Sequence, residues 1–201
     1  MAQIRPYRPA DRDQVYEVCV RTADAGGDAR GQYSTDDFMP DLFAGPYLML
    51  EPELAFVVDD GGVVGYVLGT ADTERWAAEH RRRWLPTVAE RYPWVASPST
   101  PQEELTDLLH HPERNIHPEL TGYPAHLHID LLPSHQRRGL GRGLVAAFLG
   151  ALRQRGVPAV HLGMVTTNTS ARAFYDLLGF HELPVEVPGL TFLGAPTDLK
   201  L

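Results

Sequence analysis

The chain has 201 residues, a formal net charge of −8 at neutral pH, 43% hydrophobic and 22% charged residues, and a single cysteine, Cys19. This is ordinary globular composition and enough chain to bury one substantial core, so one domain over residues 1–201 is expected. The acidic balance argues against broad nucleic-acid binding, which needs a basic footprint, and the lone cysteine excludes an internal disulfide and a zinc site with several thiolates.

In chain order, residues 3–7 suit a short edge strand. Asp11 is placed to cap a helix running to about Thr22, with Val15, Val18 and Cys19 at helical spacing. Residues 25–31 and 40–52 are rich in Gly, Pro and Asp and read as loops around a short helix near 36–43. Two apolar runs, 54–58 and 63–69, flank Asp59-Asp60-Gly61-Gly62 and form the clearest hairpin. Residues 72–123 differ in character. They hold all three tryptophans and many prolines, and read as an insertion with helices near 73–84 and 102–109. Aromatic residues there more often build a local core than a ligand box; Tyr33, Trp76 and Trp94 are candidates for a substrate pocket all the same. No apolar run of about 18 residues occurs, and residues 1–6 lack a secretory stretch, so neither a membrane span nor export is expected, and a cytoplasmic setting is.

From Ala125 the pattern becomes strand (125–132), loop, amphipathic helix (140–155), strand (159–165), helix capped by Asn168 and closed by Gly179, and a last strand at 190–193. This order predicts an α/β sheet with a βαβ unit at its centre. Between the first strand and helix lies Gln136-Arg137-Arg138-Gly139-Leu140-Gly141-Arg142-Gly143. From Leu131 to Val160 there are five arginines and no acid. A glycine turn feeding a helix N-terminus, with added positive charge, is an anion site that a pyrophosphate would fit. The P-loop pattern needs Gly-Lys-Ser/Thr, which is absent. The dinucleotide pattern G-x-G-x-x-G would need glycine where Leu144 stands.

Gln136, Gly139 and Gly141, with Pro133 before them and Asn168, Tyr175 and Leu178-Gly179-Phe180 after them, resemble the GNAT acetyltransferase superfamily over residues 125–181. A closer likeness is to the acetyltransferase-like C-terminal domain of eukaryotic O-GlcNAcase and its free-standing bacterial relatives. It is carried by His126-Leu127-His128-Ile129-Asp130-Leu131, Phe174-Tyr175 and residues 188–194. The resemblance implies a GNAT fold: a central mixed twisted sheet flanked by helices on both faces, here with a helical and irregular insertion between the third and fourth strands. It also implies acetyl-CoA as acyl-donor cosubstrate. Leu131, Leu132 and Pro133 would then lie along the pantetheine and acetyl group. Gln136, Arg137, Arg138, Gly139, Leu140, Gly141 and Arg142 would face the pyrophosphate, and Asn168, Ala171, Phe174 and Tyr175 the opposite flank.

The implied activity is direct acetyl transfer to a primary amine, a small amine or a lysine-like group. Lysine has a pKa of ~10.4 and must lose a proton before attack, so a base is needed, and the departing thiolate needs an acid. Tyr175 stands where the family places that acid. Strand alternation puts His126, His128 and Asp130 on one face. Asp130 is the favoured base, a structural aspartate or a histidine base being the alternatives. Two histidines and a carboxylate can also hold a metal, which nothing else in the chain demands, so no metal is expected. The partners expected are a coenzyme A thioester and an amine, not nucleic acid or membrane, as monomer or homodimer. A catalytically silent acyl-CoA-binding module is the competing reading.

Overall fold

The structure, a computed structural model, describes residues 2–201. Its centre is a mixed seven-stranded sheet in the order β1-β2-β3-β4-β5-β7-β6. The strands are β1 (Gln3–Pro6), β2 (Phe56–Asp59), β3 (Val63–Thr70), β4 (Ala125–Leu131), β5 (Ala159–Val165), β6 (His181–Glu182) and β7 (Leu190–Pro196). Every neighbouring pair is antiparallel except β4 and β5, which run parallel. The expected hairpin is β2–β3, and β1 is the expected edge strand. The last strand is longer than expected, with Phe192, Leu193 and Ala195 buried as β7 pairs along all of β5.

Helices cover both faces. On one side lie α7 (Leu140–Gln154) and α8 (Thr169–Leu178), whose Leu144, Phe148, Leu152, Tyr175 and Leu178 pack on Val67, Leu127, Val160 and Leu162. Helix α7 buries the stripe predicted for it, because apolar residues at four-residue spacing share one face. Asn168 caps α8 by accepting the Ala171 N–H at 3.0 Å, and Gly179 ends it in the left-handed region. The other face carries α1 (Arg12–Val20), α3 (Gly45–Leu50) and α4 (Thr73–Glu79), which bury Val15, Val18, Tyr47, Leu48 and Trp76 against Val57, Tyr66 and Leu68.

Three expectations are corrected. Asp11 does not cap α1; its carboxylate takes Arg5 at 2.7 Å and the Arg8 N–H at 2.8 Å, tying the start of the helix to β1. Residues 40–52 are not loop. They finish α2 (Phe38–Phe43) and form α3, because Pro46 sits in the first turn, where a missing N–H costs nothing, and Tyr47 and Leu48 are buried. The first insertion helix does not stop at Trp84; a π-turn over His80–Trp84 carries α4 into α5 (Leu85–Val88), with Pro86 again in the first turn. Helix α6 (Pro101–His110) begins with a capping box from Thr100 and Glu103.

The insertion, 72–123, is held at three points. At its stem, Thr73 donates both its N–H (2.8 Å) and its hydroxyl (2.9 Å) to the carbonyl of Pro124. In its interior, Trp84, Val88, Tyr92 and Leu109 form a cluster with Phe38 and Leu42 of α2. At the junction, buried Asp41 accepts from Tyr16 and Tyr92 hydroxyls at 2.8 and 2.9 Å and pairs with Arg91 at 3.0 Å. Among the described residues no helix is long and apolar enough to cross a membrane.

Candidate active site

β4 and β5 pair only at their N-terminal ends, Ala125 with Val160 and His126 with His161. β4 continues for five more residues and β5 for four, each paired on its outer side only, β4 with β3 and β5 with β7. The sheet therefore opens into a wedge between Leu127–Leu131 and Leu162–Val165. Burial falls along β4 in step, from buried Ala125, His126 and Leu127 to partly exposed His128 through Leu131.

At the mouth of the wedge the chain turns through Pro133–His135 into the glycine loop. Gln136 folds back and donates its side-chain N–H to the Leu131 carbonyl at 3.0 Å, fixing where the loop leaves the strand. The N–H of Leu132 goes to Val64 at 3.0 Å and is committed to the sheet. Arg137 (φ 57°) and Gly139 (φ 78°) both take the left-handed conformation, for Gly139 without a Cβ penalty. No protein acceptor takes the backbone N–H groups of Arg137 through Arg142, and the next one, from Gly143, bonds Gly139. Arg137, Arg138 and Arg142 make no ion pair among the described residues, unlike Arg155, which faces Glu51 and Glu53. Six unfilled amides, three guanidinium groups and the positive end of a 15-residue helix make a cradle for a polyanion. Gly141 has a second reason to lack a side chain: a Cβ there would lie 3.1 Å from the Phe174 ring of α8.

The candidate acid comes from α8 and the candidate base from β4, near enough for the charge of Asp130 to act on Tyr175. Phe174 and Tyr175 come from α8, their rings 5.1 Å apart. Tyr175 is buried, its hydroxyl bonds to no protein group, and burial together with the charge of Asp130 raises its pKa. It stays protonated at neutral pH and can serve there as an acid but not as a base. On β4, His126, His128 and Asp130 share a face as strand alternation requires. Tyr66, paired with Asp130 in the register of β3 and β4, donates its hydroxyl to the carboxylate at 2.6 Å. Burial raises the Asp130 pKa to about 7, against the opposing hydrogen bonds of Tyr66 and Thr22. A carboxylate poised there can take and release a proton near neutral pH. Burial lowers the pKa of His128 to about 4 and that of His126 well below the usual value, so both rings are neutral. Cys19 is enclosed and its thiol is raised by burial and by Asp130, which removes it as a nucleophile.

Of the other predicted positions, Asn168 spends its side-chain oxygen on the helix cap, and Ala171 and Phe174 lie half-buried along α8, the Phe174 ring beside Gly141. Trp76 approaches the site, its ring 5.2 Å from His126; Tyr33 and Trp94 do not, packing instead on Phe38 and on His111. No group of three or more metal-ligating side chains converges among the described residues. Sequence reasoning missed Tyr47, Tyr66 and Thr73. Tyr66 could have been found only by pairing β3 with β4 in the right register. Tyr47 and Thr73 carry no local signal.

A parted pair of parallel strands with a glycine-started helix at its mouth suits a phosphorylated acyl carrier. The family model described as FR47-like protein matches residues 124–187. The solved structure of SsHAT is 57% identical and superposes with a TM-score of 0.94 over 98% of each chain. Protein O-GlcNAcase of Rattus norvegicus is 28% identical over 187 residues, 90% of this chain but 20% of its own length, so the chain spans about a fifth of that relative. The [Ribosomal protein bS18]-alanine N-acetyltransferase of Escherichia coli K12 is 40% identical over 53 residues, 26% of this chain and 36% of that enzyme. The chain belongs to the GNAT acetyltransferase superfamily, whose reaction is acetyl transfer from acetyl-CoA.

Proposed function

We propose that the chain transfers acetyl directly from acetyl-CoA to a primary amine, a small amine or a lysine-like group, within one domain whose 72–123 insertion covers the acceptor side. The observation that carries the reading is the meeting of the polyanion cradle at Arg137–Arg142 with two unlike proton carriers, Asp130 and Tyr175, at one wedge. The cradle residues hold the pyrophosphate, and the edges of the wedge, Leu131 to Pro133 on one side and Ala171 to Tyr175 on the other, align the pantetheine arm. Asp130 accepts a proton from the ammonium; the amine nitrogen attacks the thioester carbonyl, and the carbon–sulfur bond breaks. Tyr175 gives its proton to the departing sulfur and is reset by the second proton that the acylated nitrogen releases, while Asp130 returns its own to solvent. The acid must hold its proton until sulfur leaves, which suits a raised tyrosine, and the base must be free to lose its own, which suits a carboxyl near 7.

Calorimetric titration of acetyl-CoA into the protein, followed by a thiol-release assay with a panel of primary amines, tests the reading. Saturable binding with amine-dependent thiol release supports it. Binding without release from any amine favours a silent acyl-CoA-binding module, and no binding removes both.

A further inference from the structure

Behind the candidate base lies a chain of polar contacts that the reaction above does not use. The Thr73 hydroxyl oxygen is 2.9 Å from the Pro124 carbonyl and 2.8 Å from His126 Nδ1. The Tyr47 hydroxyl is 2.8 Å from His126 Nε2 and 3.0 Å from His128 Nε2. Trp76 stacks on Tyr47 at 4.8 Å and 15° and meets His126 edge-on, so the rings have little freedom to turn.

The protons in this chain can be assigned. A carbonyl only accepts, so the one Thr73 hydroxyl proton goes to Pro124, and the Thr73 oxygen must accept from His126 Nδ1–H. His126 is neutral, so its Nε2 is an acceptor and takes the Tyr47 proton. The Tyr47 oxygen then accepts from His128 Nε2–H. The reverse order would leave the oxygens of Thr73 and Pro124 facing each other at 2.9 Å with no proton between them. Because the chain ends on a carbonyl it cannot conduct a proton, and its effect is to hold one tautomer of His128. That tautomer leaves a lone pair on His128 Nδ1. No protein group donates to this nitrogen, and it is not among the enclosed atoms without a partner, which are Trp76 Nε1 and His80 Nδ1, so it is not fully enclosed. Asp130 lies two residues along the same face.

We propose that His128 Nδ1 is a preset hydrogen-bond acceptor for an N–H of the incoming amine, and that Thr73, His126 and Tyr47 are positioning residues that set its tautomer. The proposal rests on the amine-acetylation reading and narrows it. An amine nitrogen brings one proton for Asp130 and another for His128, whereas an alcohol has a single proton and would leave one of the two acceptors unpaired.

Long-range proton–nitrogen NMR of ¹⁵N-histidine-labelled protein reads the tautomers without any turnover. Unmodified protein is expected to show His126 protonated on Nδ1 and His128 on Nε2. Thr73→Val removes the oxygen that receives His126 Nδ1–H, so each proton in the chain moves over and His128 becomes Nδ1–H; Thr73→Ser restores the original state. The second measurement titrates Nα-acetyl-lysine methylamide and phenethylamine into the coenzyme A-loaded protein, following the His128 Nδ1 signal. The signal is expected to respond in the unmodified protein and in Thr73→Ser, with affinity about tenfold weaker or worse in Thr73→Val. His128 found as Nδ1–H in the unmodified protein overturns the proton assignment. A response that is absent from the unmodified protein, or unchanged in Thr73→Val after the tautomer has flipped, overturns the role of His128. An amine response without thiol release sinks the catalytic reading and leaves this one standing.

Discussion

The proposed cofactor side of the cleft is assembled from one continuous stretch, Leu131 to Tyr175, whereas the proposed acceptor side gathers Tyr47 from α3, Tyr66 from β3, and Thr73 and Trp76 from α4 around His126, His128 and Asp130. The first is made mostly of backbone: unfilled N–H groups, a left-handed glycine and a helix end. The second is made of side chains that touch across long sequence separations. The difference teaches where specificity can change. A backbone cradle accepts one kind of ligand as long as its glycines and helix start persist, while a side-chain wall can be rebuilt residue by residue.

The sharpest way to break the comparison is Asp130→Asn. On the acceptor wall it should lower amine-dependent thiol release by about a thousandfold, within the usual range for losing a general base, while leaving calorimetric acetyl-CoA binding intact. The same change should stabilise the fold. Asp130 has a folded pKa of about 7 against an ordinary value of 3.8, so the folded state binds more protons between those values. Stability of the unmodified protein therefore falls as pH rises from about 4 to about 7, and the variant lacks that fall. Its advantage in Tm should be absent near pH 4, grow to pH 7 and level off above. For the unmodified enzyme, kcat/KM should rise with pH through about 7 as the carboxyl ionises. Tyr66→Phe, which removes a hydrogen bond that lowers the Asp130 pKa, should move that limb to higher pH.

Next in size is Tyr175→Phe, expected to lower kcat by about a hundredfold with little change in acetyl-CoA affinity, since only the hydroxyl proton is lost. An unchanged kcat would make the tyrosine a core residue. Gly141→Leu addresses the other wall, because the new side chain would collide with Phe174 beside the cradle. Calorimetry should show acetyl-CoA affinity weaker by about ten- to a hundredfold, with the tautomers of His126 and His128 unmoved. Last comes Asp41→Asn, which acts on the fold rather than on either wall. It leaves Arg91 without its charge partner and frees the clamp between α1, α2 and the insertion, so thermal denaturation should show a loss of about 2–4 kcal/mol. Acetyl-CoA affinity should change by less than about threefold.

By itself the sequence determined the elements from Ala125 to Gly179, the cap at Asn168, the stripe of α7 and the glycine loop, because each depends on neighbours within a few residues. It also determined that His126, His128 and Asp130 share a face, since strand alternation has a period of two. It misled at residues 40–52, where prolines that read as loop stand in the permitted first turn of α3 and in α2, and at Asp11, whose carboxylate goes to Arg5 rather than to the helix. Only the tertiary structure decided that β4 and β5 part after His126, that Tyr66 lies opposite Asp130, and that Thr73 closes the insertion on Pro124 while meeting Nδ1 of His126. The reason is physical: strand register and the seating of an insertion are set by burying side chains far apart in the chain, and no local pattern specifies which distant partners meet.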